Sequence, residues 1–223
     1  MTKLRSKTTW RAVAALGLLS AGTIFANPIT YLVTIDTSAV QGSSGFLDFD
    51  FAPGNGSQGA FVTIADFSPG GSLSGLPQVN GDVSGSLPGT LRINNTTQFN
   101  DYFEGFTYGT TLSFQLSFGG PALTAPDGTS LSGSTFGFGM FDSTGLNPLL
   151  TTDPNGNTFL VNVNLDGSTT VATFASDASG GGPVATIAAV PEPSMFCLVL
   201  LSLAAVLSRK RRDCLRAPRK VKG

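Results

Sequence analysis

No histidine occurs anywhere in the 223 residues. The side chain that most often acts as a general base near neutral pH, and most often ligates a transition metal, is therefore missing. Ser-His-Asp and Cys-His catalysts are excluded with it. Cysteine is almost absent too, and both thiols, Cys197 and Cys214, fall near the C-terminal end. The long stretch before them can form no disulfide, so its core must be built from apolar volume alone. Bases are equally scarce there. Twelve of the thirteen Lys and Arg lie before residue 12 or after residue 208, and between Asn27 and Val190 the single base is Arg92. Twelve acids share that span, a formal charge of −11 that the whole-chain value of −1 conceals. Such a surface repels nucleic-acid phosphates and anionic lipid head groups, so nucleic acid is not an expected partner.

The bases that do exist mark the two ends. Lys3, Arg5, Lys7 and Arg11 precede the apolar run "AVAALGLLSAGTIF" (12–25), and Ala26 supplies a small residue before a cut. Residues 1–26 thus read as a secretory signal peptide, which makes the Sec translocon an expected partner and Asn27 the first mature residue; cleavage near Ala21 is the other candidate. At the far end, "VPEPSMFCLVLLSLAAVLSRKRR" (190–212) joins a stiff acidic triplet, an apolar run and four cations. Pro191 and Pro193 hold the backbone extended, and Ser194 can cap a helix. A helix over 194–208 is ~22 Å long against a hydrocarbon core of roughly 30 Å, short for a span. Arg209, Lys210, Arg211 and Arg212 would hold the tail, 213–223, on the cytoplasmic side. With a basic N-terminus also inside, the acidic middle lies outside.

That three-part order at 190–212 resembles the PEP-CTERM sorting signal of Gram-negative bacteria that make extracellular polysaccharide. The resemblance implies that Pro191, Glu192 and Pro193 are a recognition element for exosortase, a membrane-embedded cysteine protease or transpeptidase. It also implies that the helix parks the precursor in the inner membrane, and that cleavage near the triplet releases or transfers the ectodomain to the cell surface or matrix. The eleven residues after Arg212, "DCLRAPRKVKG", are longer than the usual tail. Three stretches of the middle, "YLVTIDTSAVQGSSGFLDFDFAPG" (31–54), "GDVSGSLPGTLRINNTTQFNDYFEGFTYG" (81–109) and "LLTTDPNGN" (149–157), resemble uncharacterised PEP-CTERM ectodomains. No known activity comes with that likeness.

Residues 27–175 show strand periodicity. "TTLSFQLSF" (110–118) alternates, with Leu112, Phe114, Leu116 and Phe118 on one side and Ser113, Gln115 and Ser117 on the other. "FLVNVNL" (159–165) repeats this, placing Phe159, Val161, Val163 and Leu165 inward. Similar runs occur at 29–36, 46–51, 60–67, 90–94 and 135–141, separated by Pro-Gly, Asn-Gly and Asp-Gly turns. Asp166-Gly167 predicts a hairpin closed by a type I′ turn. The expected fold class is all-β, an antiparallel β-sandwich of jelly-roll type, filled largely by seventeen Phe. Residues 176–189 read as a Gly-rich linker, although "ATIAAV" (185–190) can also make a last short strand.

Acidic side chains are the remaining candidates for chemistry. Asp48 and Asp50 in "FLDFDF" (46–51) share one strand face about 7 Å apart. Two carboxylates so placed could serve a metal or a glycosidase; alternation reads them as the solvent face of an edge strand, with Leu47, Phe49 and Phe51 inward. Asp101 and Glu104 in "NDYFEGF" (100–106) pair acids with aromatics, as sugar-binding surfaces do, or mark a strand end beside core rings. "NVNLDG" (162–167) matches half a Ca²⁺ loop, but Thr173 at its twelfth position cannot supply the bidentate carboxylate. A Ca²⁺ site from scattered loop acids stays open; no other cofactor is expected. "NNTT" (94–97) holds two overlapping N-x-T sequons. The leading expectation is a non-enzymatic exported protein with a structural or adhesive role in polysaccharide matrix or biofilm. The alternative is a carbohydrate- or Ca²⁺-binding β-sandwich module of that matrix. A glycoside hydrolase would require two acids facing each other across a cleft.

Overall fold

The computed structural model describes residues 29–191. The chain divides into a unit ending at Ala189 and a second beginning at Val190. The expected signal peptide (1–26), the membrane helix (194–208), the basic cluster Arg209–Arg212 and all of the triplet except the exposed Pro191 lie outside the described residues.

Twelve strands are described: β1 (Ile29–Asp36), β2 (Ser44–Pro53), β3 (Phe61–Pro69), β4 (Ser72–Asn80), β5 (Val83–Gly85), β6 (Leu91–Asn94), β7 (Asp101–Thr107), β8 (Thr111–Gly119), β9 (Ser134–Asp142), β10 (Asn157–Val163), β11 (Thr169–Thr173) and β12 (Ala185–Ala189). One helical turn, α1 (Pro121–Thr124), follows β8. The strands form two antiparallel six-stranded sheets, in the orders β12-β1-β8-β3-β6-β5 and β11-β10-β9-β2-β7-β4. This is the expected all-β sandwich.

Alternation explains the packing. In β8 every second residue, Leu112, Phe114, Leu116 and Phe118, is fully buried, while Ser113, Gln115 and Ser117 face outward. In β2, Leu47, Phe49 and Phe51 are buried in the same way. Phe49 and Phe138 from one sheet meet Phe114 from the other at ring-centroid distances of 5.5 Å each. Phe159 lies 5.5 Å from Phe138. These rings provide the core volume that disulfides cannot.

Buried amides tie the sheets together. Asn95 accepts from the Ala60 N–H at 2.8 Å and donates to the Gln58 carbonyl at 2.9 Å and to Ser134 Oγ of the opposite sheet at 2.8 Å. Both amide hydrogens and the amide oxygen are engaged, so this sequon residue is a structural clamp. Asn95→Ala should lower unfolding stability by about 2–3 kcal/mol in urea titration, because it leaves buried partners unsatisfied.

Several expectations change. β2 lies inside its sheet, between β9 and β7, so it is not an edge strand. Leu165 is half exposed in a turn, because β10 stops at Val163. That turn carries positive φ only at Gly167 (+81°), and the Gly167 N–H reaches the Asn164 carbonyl at 3.1 Å. It is therefore a turn of type I with a left-handed glycine, not type I′, which needs positive φ at both central residues. The linker expected over 176–189 is shorter, because Ala185–Ala189 pair with β1.

Candidate functional site

Register assembles the acids. Asp50 on β2 stands directly opposite Asp101 on β7, and Asp48 stands opposite Phe103. On the other side of β2, Asp48 and Asp50 are opposite Gly139 and Gly137 of β9. Asp48, Asp50 and Asp101 therefore form one carboxyl trio on the outer face of the sheet. The glycines leave room above the trio. A Cβ at Gly137 would stand 2.5 Å from both Asp50 Oδ2 and Asn157 Oδ1. Asn157 is itself held by Asp153, whose Oδ2 accepts its side-chain amide at 2.7 Å. On the opposite flank Asn80 of β4 donates to Asp101 Oδ2 at 3.0 Å. Further along the same face Phe46 and Phe103 stack at 4.6 Å, with Phe141 at 6.0 Å from Phe103.

Asp48 keeps its proton at neutral pH. Asp48 is half-buried, and its Oδ1 is enclosed with no hydrogen-bond partner. Burial, reinforced by a hydrogen bond and repulsion from Asp101 and by the charge of Asp50, pushes its pKa up to about 9. Burial and the Asp101 charge raise Asp50 to about 6. At neutral pH the Asp48 carboxyl is thus neutral, because an enclosed carboxylate beside other acids costs more than keeping the proton. The one base of the described region, Arg92, belongs to the other sheet, where it stacks 3.5 Å over the Phe61 ring and cannot neutralise the trio.

Glu104 does not join them. Inward parity on β7 places Tyr102, Glu104 and Phe106 in the sandwich interior, and all three are buried. The Tyr102 hydroxyl donates to Glu104 Oε2 at 2.5 Å and accepts the Leu87 N–H at 3.1 Å. Burial raises the Glu104 pKa, and the Tyr102 hydrogen bond pulls it partly back. The four candidate acids therefore split into three outside and one inside, and the pairing of Asp101 with Glu104 as one surface is corrected. Among the described residues no group of three or more His, Cys, Asp or Glu is arranged to hold a metal ion. Asn80, Asp153 and Asn157 were not singled out from sequence; the only local signal was the Gly137/Gly139 alternation, which marks a strand face that something approaches closely.

The protein is, in class, an all-β sandwich of two antiparallel sheets with a cluster of three carboxyl groups on one outer face. No protein-family model matches the chain, and no curated protein or solved structure matches it either. Among the described residues no helix is long and apolar enough to cross a membrane.

Proposed function

We propose that the protein is an exported, non-enzymatic surface or matrix component of a Gram-negative bacterium, held first in the inner membrane by its C-terminal helix and then processed by exosortase. The observation that carries this reading is the order Pro191-Glu192-Pro193, apolar run, Arg209–Arg212 at the end of a chain that opens with signal-peptide features. A structural or adhesive role in polysaccharide matrix or biofilm fits the ectodomain. Its candidate acids lie side by side on one sheet face or, for Glu104, inside the core, rather than facing each other across a cleft, and it contains no histidine or thiol nucleophile. The strand orders β1-β8-β3-β6 and β2-β7-β4, with successive strands crossing between sheets, support the jelly-roll form of the sandwich. Replacing the triplet together (Pro191→Ala, Glu192→Gln, Pro193→Ala) is expected to leave the full-length precursor in the inner membrane, read by fractionation and immunoblot. Normal delivery of that variant to the surface would falsify the sorting reading.

One observation favours the carbohydrate- or Ca²⁺-binding module as a second reading. A groove of about 630 Å³ runs beside the ends of β2, β9 and β10, lined by Thr135, Asn162, Asn164 and Asp166 together with Pro53 and Leu165. Amides and hydroxyls beside small apolar patches suit a sugar. Calorimetry of the full chain against Ca²⁺ and against the native exopolysaccharide tests it: heat at millimolar ligand supports the module, and none removes it.

A further inference from the structure

The four edges of the two sheets are not alike. On one side of the sandwich, β4 is interrupted: its pairing with β7 shifts register between Ser74 and Gln78, Gly75 has φ +85°, and Pro77 cannot donate to a ladder. The edge beside it, β5, is three residues long. The other side is built from β11 and β12, brought together where Tyr31 of β1 meets Thr169 of β11 across the sheets at 2.6 Å. Neither strand has a charge, a proline or a register shift. β11 reads Thr169-Thr170-Val171-Ala172-Thr173 and pairs in unbroken register with β10, and its last four residues are exposed. Proteins ordinarily guard such an edge with lysine, proline or a bulge.

We infer that the β11 edge is a homotypic docking strand, on which a second copy of this chain adds its own β11 antiparallel about Val171. The commitment to a second copy comes from the strand itself. "TTVAT" is nearly its own reverse, so a twofold axis through Val171 sets Val171 against Val171, Thr170 against Ala172 and Thr169 against Thr173. Small uncharged or β-branched residues then meet at every position, the same patch serving both partners as an isologous contact requires. Val171 is inward in parity, opposite Val161, yet remains 39% exposed at the mouth of the sandwich, and the partner's Val171 covers it. Charge points the same way. Copies carrying −11 in this region repel over most of their surface, so contact is permitted at an uncharged edge and should strengthen as salt screens the remainder. A twofold contact uses the same strand of both copies, so pairing through β11 closes at a dimer. This inference stands apart from the sorting proposal, since it concerns only contacts between folded ectodomains.

The test uses the full chain in detergent, with Cys197→Ser and Cys214→Ser so that an introduced thiol is the sole one. Val171→Cys should give a disulfide-linked dimer under mild oxidation at low micromolar protein. Leu76→Cys, on the interrupted edge and 93% exposed, should give at least tenfold less. Adding Thr170→Lys and Ala172→Lys to Val171→Cys sets like charges opposite each other across the axis and should abolish the cross-link. Adding Thr170→Lys and Ala172→Glu instead sets opposite charges together and should retain it. Circular dichroism checks that each variant folds, and all four positions are exposed. Equal cross-linking at Val171→Cys and Leu76→Cys, or equal yield from the Lys/Lys and Lys/Glu pairs, overturns the inference.

Discussion

Asp48→Asn should stabilise the protein at pH 8 by about 3 kcal/mol and raise Tm by roughly 6–12 °C. In the unfolded chain Asp48 titrates near the ordinary aspartate value; in the fold, burial and its two acidic neighbours hold it at about 9. Between those values the folded state binds more protons than the unfolded state. The contribution of Asp48 is therefore fully present below about pH 4 and is lost as pH rises towards 9. Asp50, raised to about 6, adds a slope of the same sign between about pH 4 and 6. An asparagine amide can donate to Asp101 as the protonated carboxyl does, without a proton to lose. Thermal melts from pH 5 to 9 should show wild-type Tm falling, and the Asp48→Asn profile flatter and crossing above it. A wild-type Tm that climbs from pH 5 to 8 would show that Asp48 and Asp50 are ionised and solvated. Surface Asp36, Asp127, Asp142 and Asp166 are held low by local hydrogen bonds from Ser or Thr and, at Asp142, also from Asn147. Their effect has the opposite sign and lies below about pH 4, so stability should peak in mildly acidic buffer.

Phe138→Ala should cost about 3–5 kcal/mol, a fall in Tm of roughly 10–15 °C. Phe138 is fully enclosed, with Phe49, Phe114 and Phe159 at 5.0, 5.5 and 5.5 Å. Removing it opens a cavity that two sheets clamped by Asn95 cannot collapse to fill. Phe46→Ala, on the outer face, should cost clearly less in the same chemical denaturation series. Equal losses would mean that the outer aromatic cluster, and not the sandwich interior, holds the fold.

The two substitutions also show what was readable in the residues alone. The inward ring of Phe138 belongs to an alternating run, "TFGFGMF" (135–141), and alternation is a local property of strands. The same reasoning placed β1 at Ile29–Asp36, the residues expected, and put Asp48 and Asp50 on an outer face. It could not place Asp101 against Asp50, because the pairing of β2 with β7 is a contact between distant parts of the chain that nothing local encodes. Nor could it show that β2 is central, which is what makes these acids half-buried and raises their pKa values. Glu104 was readable and missed: counting by twos from Tyr102 or Phe106 puts it inside. β4 was hidden by Gly75 and Pro77, which interrupt the pattern that would reveal a strand.

The export account rests on removal of the C-terminal segment. Intact-mass spectrometry of the mature protein, from cells with and without exosortase, measures that directly. The account predicts a mature chain lacking residues beyond the Pro191–Pro193 region when exosortase is present, and the full C-terminus through Gly223 when it is not. A mature chain that keeps residues 194–223 in both strains contradicts it, and the membrane-anchored form would then be the final one.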